Sequence, residues 1–261
     1  MKLPAAEFLH RLADAADRET VSRFRQTLET ATKPKEGYRF DPVTEADREA
    51  ELAMRALISE EFPEHSILGE EYGVTGVGAC QWVLDPIDGT RPFLLGIPVW
   101  GTLIGFCEQG RATAGLMSQP ITRERFWAHS GESWLRTDNA TTRLRTSACT
   151  RLADAVLHTN SPEGVRRNPD VRFDTLDEAV KMTRYGGECY AFAMLAAGHI
   201  DICVEYSLQP YDIVPLVPLI EAAGGVVTTF NGSRPENGGR IIASANKDLH
   251  AAAITVLMSG R

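Results

Sequence analysis

The sequence predicts a layered mixed α/β chain of the α+β kind. Three observations predict it. Apolar residues recur at helical spacing in the N-terminal part. Three short apolar stretches with brief connections follow, as in an antiparallel sheet. The second half then alternates helical and extended segments, which suggests a layered α/β unit.

Taken in order, Phe8, Leu9, Leu12, Ala16, Val21, Phe24 and Leu28 place one or two amphipathic helices over roughly residues 5–30. Lys33-Pro34-Lys35-Glu36-Gly37 breaks the pattern and reads as a mobile loop. Thr44, with Asp47 three positions on, resembles an N-cap; the helix it starts runs through Leu52, Met54, Leu57 and Ile58 and ends before Pro63. Ser66–Glu70 is a short strand ending in acids, and Trp82–Asp85 is a second strand. Thr102–Cys107, Ala112–Met117 and Arg125–His129 read as successive antiparallel strands. The polar, threonine-rich stretch 136–146 predicts a boundary between subdomains of about 1–140 and 141–261 within one domain, 1–261. Beyond it come helices near 174–183 and 188–198, a strand at 201–205, a helix from about 211 to 223, strands at 226–230 and 240–244, and a helix at 247–258. Pro215 suits a first helical turn, whereas Pro218 sits deeper and predicts a kink or an irregular start.

Composition narrows the function classes. The 261 residues, 43% hydrophobic and 24% charged, suffice for one sizeable domain or two subdomains sharing a core. No apolar run approaches the roughly 20 residues that span a bilayer. Met1–Ala5 lacks a signal-peptide core, because Glu7, His10 and Arg11 come too soon. Five cysteines without C-x-x-C point to a reducing, cytoplasmic setting and away from a disulfide frame or zinc site. None of the six histidines has ligand spacing; each is expected at the surface or partly packed. A net charge of −8 argues against nucleic-acid partners. A small anionic substrate stays open, since a bound cation inverts the local sign.

The most informative run is Trp82-Val83-Leu84-Asp85-Pro86-Ile87-Asp88-Gly89-Thr90. An apolar strand ends in two carboxylates with a hydroxyl alongside. Oxygen-only clusters suit Mg²⁺, Mn²⁺ or Ca²⁺. Pro86 pushes Asp85 towards an extended conformation and Gly89 permits a tight turn, so Asp85 and Asp88 can aim at one point with the Ile87 carbonyl as a third oxygen. Gly69-Glu70-Glu71 closes another strand, and Pro210-Tyr211-Asp212 opens a helix. Each has a bland reading: a helix-start acid is a cap, a Glu-Glu pair a solvated face, Asp-x-x-Asp a turn. Brought together, such carboxylates repel by about 4 kcal/mol per pair at 4 Å and an effective dielectric of about 20. Divalent ions would relieve that repulsion.

Asp41-Pro42-Val43-Thr44-Glu45-Ala46-Asp47, Gly69-Glu70-Glu71, Trp82–Thr90, and Tyr211-Asp212 with Glu221-Ala222-Ala223-Gly224-Gly225 together resemble the inositol monophosphatase superfamily, in order and over nearly the whole chain. The resemblance implies a catalytic domain with an αβαβα sandwich, Mg²⁺-dependent hydrolysis of a small phosphate monoester, and a homodimer. It implies Glu70, Asp85 and the Ile87 carbonyl around a first ion, and Asp85, Asp88 and Asp212 around a second. Glu70 would also support a third, weaker ion, and Mn²⁺ is a possible substitute. Thr90, held by Asp47, would orient the attacking water, and the Gly89 and Thr90 N–H groups would hold phosphate oxygens. Two ions clamp the attacking and leaving oxygens of an in-line displacement. Lithium inhibition is a family trait that the resemblance carries weakly, and Lys33 and Lys35 stay outside the expected site.

Arg91-Pro92-Phe93, then Gly96-Ile97-Pro98-Val99-Trp100-Gly101-Thr102-Leu103-Ile104, departs from the inositol-specific members and looks like the histidinol-phosphate phosphatase branch. Gly186-Gly187-Glu188-Cys189-Tyr190-Ala191 points the same way. A carboxylate at Glu188 offers a charge-assisted bond to the ammonium or imidazole of histidinol phosphate. Glu205 matches a position that contacts substrate in the superfamily. Arg91, Gly187, Glu188, Glu205 and Asp212 are therefore the expected substrate contacts, while Trp100 and Tyr190 read as packing. Glu188 as a cap-region acid, Glu205 as a strand-end ion pair and Arg91 as a solvated side chain are the competing readings. The activity implied is release of L-histidinol and orthophosphate, a step of histidine biosynthesis. The alternatives are an inositol-1-monophosphatase, a 3′-phosphoadenosine 5′-phosphate phosphatase, and, in another class, a non-catalytic Mg²⁺-binding regulatory protein.

Overall fold

Helix α1 spans Ala6–Arg23 and α2 spans Glu45–Glu61, with a short antiparallel pair, β1 (Thr30–Thr32) and β2 (Pro42–Thr44), between them. The computed structural model describes residues 3–27, 29–32 and 42–259; Leu28, the Lys33–Gly37 loop and Asp41 lie outside them. α1 stops at Arg23 rather than near residue 30, because Phe24 turns extended and Arg25 takes a left-handed φ of 63°. α2 starts where the capping pattern placed it: Thr44 Oγ1 accepts from Ala46 N at 3.1 Å, and Asp47 Oδ2 accepts from Thr44 N at 2.8 Å. Phe8, Leu9, Leu12, Met54 and Ile58 of the two helices bury against Trp82, Leu84, Ile104, Phe106 and Leu116.

Those last residues belong to an eight-stranded sheet. Its strands are β3 (Ser66–Gly69), β4 (Gly73–Thr75), β5 (Cys80–Asp88), β6 (Gly101–Glu108), β7 (Arg111–Gln119), β8 (Glu124–His129), β9 (Glu132–Arg136) and β10 (Thr141–Arg143), in the order β10-β9-β8-β7-β6-β5-β3-β4. Helix α3 (Thr90–Leu94) follows β5 directly. Within this sheet, among the described residues, only β3 and β5 pair in parallel, which brings the ends carrying Glu70 and Asp85 side by side.

The rest of the chain forms β11 (Val156–Thr159), α4 (Pro162–Arg166), α5 (Phe173–Ala179), β12 (Met182–Tyr185), α6 (Glu188–Ala196), β13 (Ile202–Leu208), α7 (Pro210–Ile213), α8 (Leu216–Ala223), β14 (Val226–Thr229), β15 (Gly239–Ser244) and α9 (Lys247–Leu257). Its five strands order as β12-β11-β13-β15-β14. α6 and α8 lie between the sheets: Phe192, Leu195, Leu216 and Leu219 meet Leu103, Met117 and Phe126 on one side and Cys203, Val227 and Ile241 on the other. α5 and α9 cover the far face through Phe173, Leu176, Leu249 and Leu257. The layers are therefore helix, sheet, helix, sheet, helix, the expected αβαβα sandwich.

Several expectations need correction. The helix expected at 174–183 ends at Ala179; Val180 turns extended and Met182–Tyr185 pairs in parallel with β11. The helix expected at 211–223 is two, α7 and α8, joined through Val214 and Pro215. Pro218 is the third residue of α8, where an N–H has no intrahelical partner, so it needs no kink. His65, His158 and His250 are buried rather than peripheral; His65 stacks on Phe62 at 4.9 Å and its Nδ1 accepts from Trp82 Nε1 at 3.2 Å. The strands β1, β2 and the interior β11 were not expected, and neither were β4, β9 and β10. These last three are short strands at or near the sheet edges, and β4 and β10 are mostly exposed, so they lack the apolar alternation that reveals a strand.

Candidate active site

The ends of β3 and β5 and the start of α7 converge. One carboxylate oxygen from each of Asp85, Asp88 and Asp212 lies within 4.8 Å of the others. Glu70 joins them, its carboxyl close enough to that of Asp85 to raise the proton affinity of Asp85. Burial, then the charges of Glu70, Asp88 and Asp212, push the Asp85 carboxyl well above the usual carboxylate range. Burial first and the Glu188 charge second raise Asp88 to about 7, although the Cys189 N–H donates to Asp88 Oδ2 at 2.6 Å. The donors are carboxylate oxygens, and their crowding adds to burial in raising the proton affinity of Asp85 and Asp88. Such a set fits hard divalent cations.

The turn that follows β5 is held from beneath. Asp85 Oδ1 accepts from Ile87 N at 3.1 Å, which orients that carboxylate locally. Ile87, Phe93 and Trp100 form a small core with Phe24 and Ala46. Gly89 has φ of 87° and a Cβ there would sit 2.9 Å from Glu188 Cγ, so a side chain is barred by both conformation and space. Thr90 Oγ1 lies 3.4 Å from Asp47 Oδ1 and 3.2 Å from the Ile87 carbonyl. Asp47 is fixed in turn by Thr44, whose Oγ1 donates to its Oδ2 at 2.6 Å. The cap reading of Asp47 and Asp212 is correct as far as it goes. Both are third residues of capping boxes, Asp212 Oδ2 accepting from Gln209 N at 2.7 Å; Asp212 also joins the cluster, and Asp47 reaches Thr90.

A second acidic group adjoins the first. Glu205 is buried, and its carboxyl is pushed well up by burial, with the Asn160 N–H, which donates to Oε1 at 2.7 Å, offsetting part. Burial also raises Glu188, while the Arg91 charge beside it lowers it. Glu188 has a left-handed φ of 47°, a conformation costing a non-glycine residue about 1–3 kcal/mol. Asn160 holds it there: Oδ1 accepts from Glu188 N at 2.7 Å and from Gly187 N at 3.1 Å, and Nδ2 donates to Glu188 Oε2 at 3.0 Å. Gly187 thus turns its N–H to Asn160. Arg91 is exposed at the same end. Trp100 is buried against Phe93, and Tyr190 packs on Phe126 with its hydroxyl donating to Glu124 at 2.7 Å.

Sequence reasoning missed Asn160 and the Cys189 N–H. The signal for Asn160 was the apolar strand Val156–Thr159 running into Asn-Ser-Pro, a polar strand end ahead of a proline-started helix.

A layered αβαβα fold with an oxygen-ligand cluster at converging strand ends defines a phosphatase of the metal-dependent kind. The inositol monophosphatase family model matches residues 3–259, and the chain belongs to that family, whose members are Mg²⁺-dependent. It is 36% identical over 262 residues to the bifunctional phosphatase IMPL2, chloroplastic, of Arabidopsis thaliana, covering 94% of this chain and 72% of that protein. It is 36% identical over 249 residues to the histidinol-phosphatase of Streptomyces coelicolor, covering 92% of each. Among solved structures, an inositol monophosphatase from Zymomonas mobilis shares 35% identity at a TM-score of 0.82, covering 97% of this chain and 99% of that one. Identity alone therefore does not separate the two substrate classes.

Proposed function

We propose that this chain hydrolyses L-histidinol phosphate to L-histidinol and orthophosphate, using two or three Mg²⁺ ions, with Mn²⁺ as a substitute. The observation that carries the reading is the second acidic pair, Glu188 and Glu205, anchored on one asparagine beside the cation cluster. An alcohol bearing an ammonium and an imidazole would neutralise both acids. Inositol offers only hydroxyls, which can hydrogen-bond to Glu205 but bring no positive charge to the extra acid, Glu188, so its burial in that pocket would cost binding.

Glu70, Asp85, Asp88, Asp212 and the Ile87 carbonyl would hold the ions, which when bound supply charge neutralisation and a more acidic water. The residues do the rest. Asp47 accepts from the Thr90 hydroxyl, so the Thr90 oxygen presents a lone pair that orients the attacking water. The Gly89 and Thr90 N–H groups hold phosphate oxygens at the helix start. Glu188 and Glu205, with Arg91 and the Gly187 turn at the rim, bind the alcohol half and place the ester in line. The chain would act as one catalytic unit, with subdomains of about 1–140 and 141–261, as a cytoplasmic homodimer; light scattering on the purified protein reads the oligomer.

Phosphate release from L-histidinol phosphate, inositol 1-phosphate and 3′-phosphoadenosine 5′-phosphate, at equal concentration with Mg²⁺, tests the assignment. The expected order puts L-histidinol phosphate first in kcat/KM. Inositol 1-phosphate in first place would overturn it in favour of the inositol reading, and turnover of none of the three would favour a regulatory Mg²⁺-binding role.

A further inference from the structure

The chemistry above leaves out a buried ion pair on α2. Glu51 is fully buried and Arg55 nearly so, and burying two charges away from water is costly unless their hydrogen bonds are completed. Here they are completed by one turn of the chain. The Glu51 carboxylate accepts from Arg55 Nε at 2.7 Å, from Glu71 N at 2.8 Å and from Tyr72 N at 3.2 Å. Arg55 Nη1 donates to Thr75 Oγ1 at 2.8 Å and Nη2 to the Gly73 carbonyl at 2.5 Å, with its guanidinium 6.0 Å from the Tyr72 ring. A Cβ on Gly69 would overlap the Glu51 carboxylate, so glycine at that position lets the pair reach the turn. The residue enclosed by these contacts, between Gly69 and Glu71, is Glu70. The core packing of α2 rests instead on Ala50, Met54 and Ile58.

We infer that Glu51 and Arg55 are positioning residues that hold the Glu70 carboxylate against the acid cluster. This rests on the reading of Glu70 as a cation ligand. α2 then aims two parts of the site from one face: Asp47 steadies Thr90, and Glu51, one turn further on, steadies the loop of Glu70. Outer partners of this kind, which orient a ligand without touching the ion, alter metal affinity by about 10- to 100-fold when removed.

The test titrates the full-length chain, stripped by chelator, with Mg²⁺ alone in a calorimeter. Wild type is compared with Glu70→Gln, Glu51→Gln and Met54→Ala, the last a core truncation on the same helix. Glu51→Gln is expected to weaken Mg²⁺ binding by about 10-fold or more, in parallel with Glu70→Gln. Met54→Ala is expected to lower the melting temperature and leave the affinity in place. Wild-type affinity in Glu51→Gln, with weakened binding in Glu70→Gln, would overturn the inference alone. Wild-type affinity in Glu70→Gln would overturn the ligand reading beneath it. An equal loss in Met54→Ala would assign the effect to general destabilisation and reject positioning. If Glu51→Gln does not fold, Thr75→Val, which removes one acceptor of Arg55 at an exposed edge strand, takes its place. A smaller loss in the same direction supports the inference and no loss rejects it.

Discussion

Glu188→Gln separates the substrate half of the site from its phosphate half. Glutamine keeps the shape, and its side-chain oxygen still accepts from Asn160 Nδ2, which lies 3.0 Å from the present carboxylate. What disappears is the charge. A hydrogen bond to a charged group contributes about 1.5–3 kcal/mol. Its loss should lower kcat/KM for L-histidinol phosphate by about 10- to 150-fold. The effect should fall mainly on KM, because the cationic end is remote from the reacting phosphorus and its binding is uniform through the reaction. Inositol 1-phosphate carries no cation and should change little or improve. The same substitution removes the charge that, after burial, does most to raise Asp88 to about 7. In the metal-free protein Asp88 should then ionise at lower pH. The assay is steady-state phosphate release on both substrates at saturating Mg²⁺ across pH. Equal fractional losses on the two substrates, or none on either, would refute the assignment of Glu188 to the cationic alcohol.

Asp88→Asn should leave the circular dichroism of the fold intact while phosphate release falls by about a thousand-fold, the scale of several kcal/mol of lost charge stabilisation; unchanged turnover would remove the cation cluster from the mechanism. Asn160→Ala should free Glu188 from its left-handed backbone and lower kcat/KM for L-histidinol phosphate more than for inositol 1-phosphate, as read from the ratio of the two. In the metal-free protein Asp88 is held at about 7, above its unfolded value of 3.8, so its contribution to stability is complete below about pH 4 and lost as pH rises through about 7. Thermal melts of chelated protein should show that decline, Mg²⁺ should reverse it by mass action, and Asp88→Asn should flatten it.

The legible parts of this molecule were those written in short-range pattern. The periodicity of Phe8–Phe24 and Leu52–Ile58 gave both N-terminal helices, and Thr44 with Asp47 gave the start of the second. The central strands β5 and β6 showed because they are apolar runs buried on both faces; the interior strand β11, only four residues with a histidine and a threonine, did not. Edge strands such as Thr141–Arg143 are exposed on every residue and carry no such pattern. Helices around Pro215 and after Ala179 were misjudged because a neighbouring strand or a proline, not local propensity, ended them. The role of Asn160 could not be read for a related reason: its partners at 187, 188 and 205 are distant in sequence.

The order and chemistry of the acids, the turn at Gly89 and the layered class of fold were settled by residue type and spacing, since a carboxylate's hardness and a glycine's freedom are local properties. Which carboxylates meet was settled only in three dimensions. The parallel pairing of β3 with β5 brings Glu70 beside Asp85, and the proline-started turn of α7 delivers Asp212 from the other end of the chain. Convergence of like charges is opposed at short range, so it exists only where the packing of whole layers enforces it.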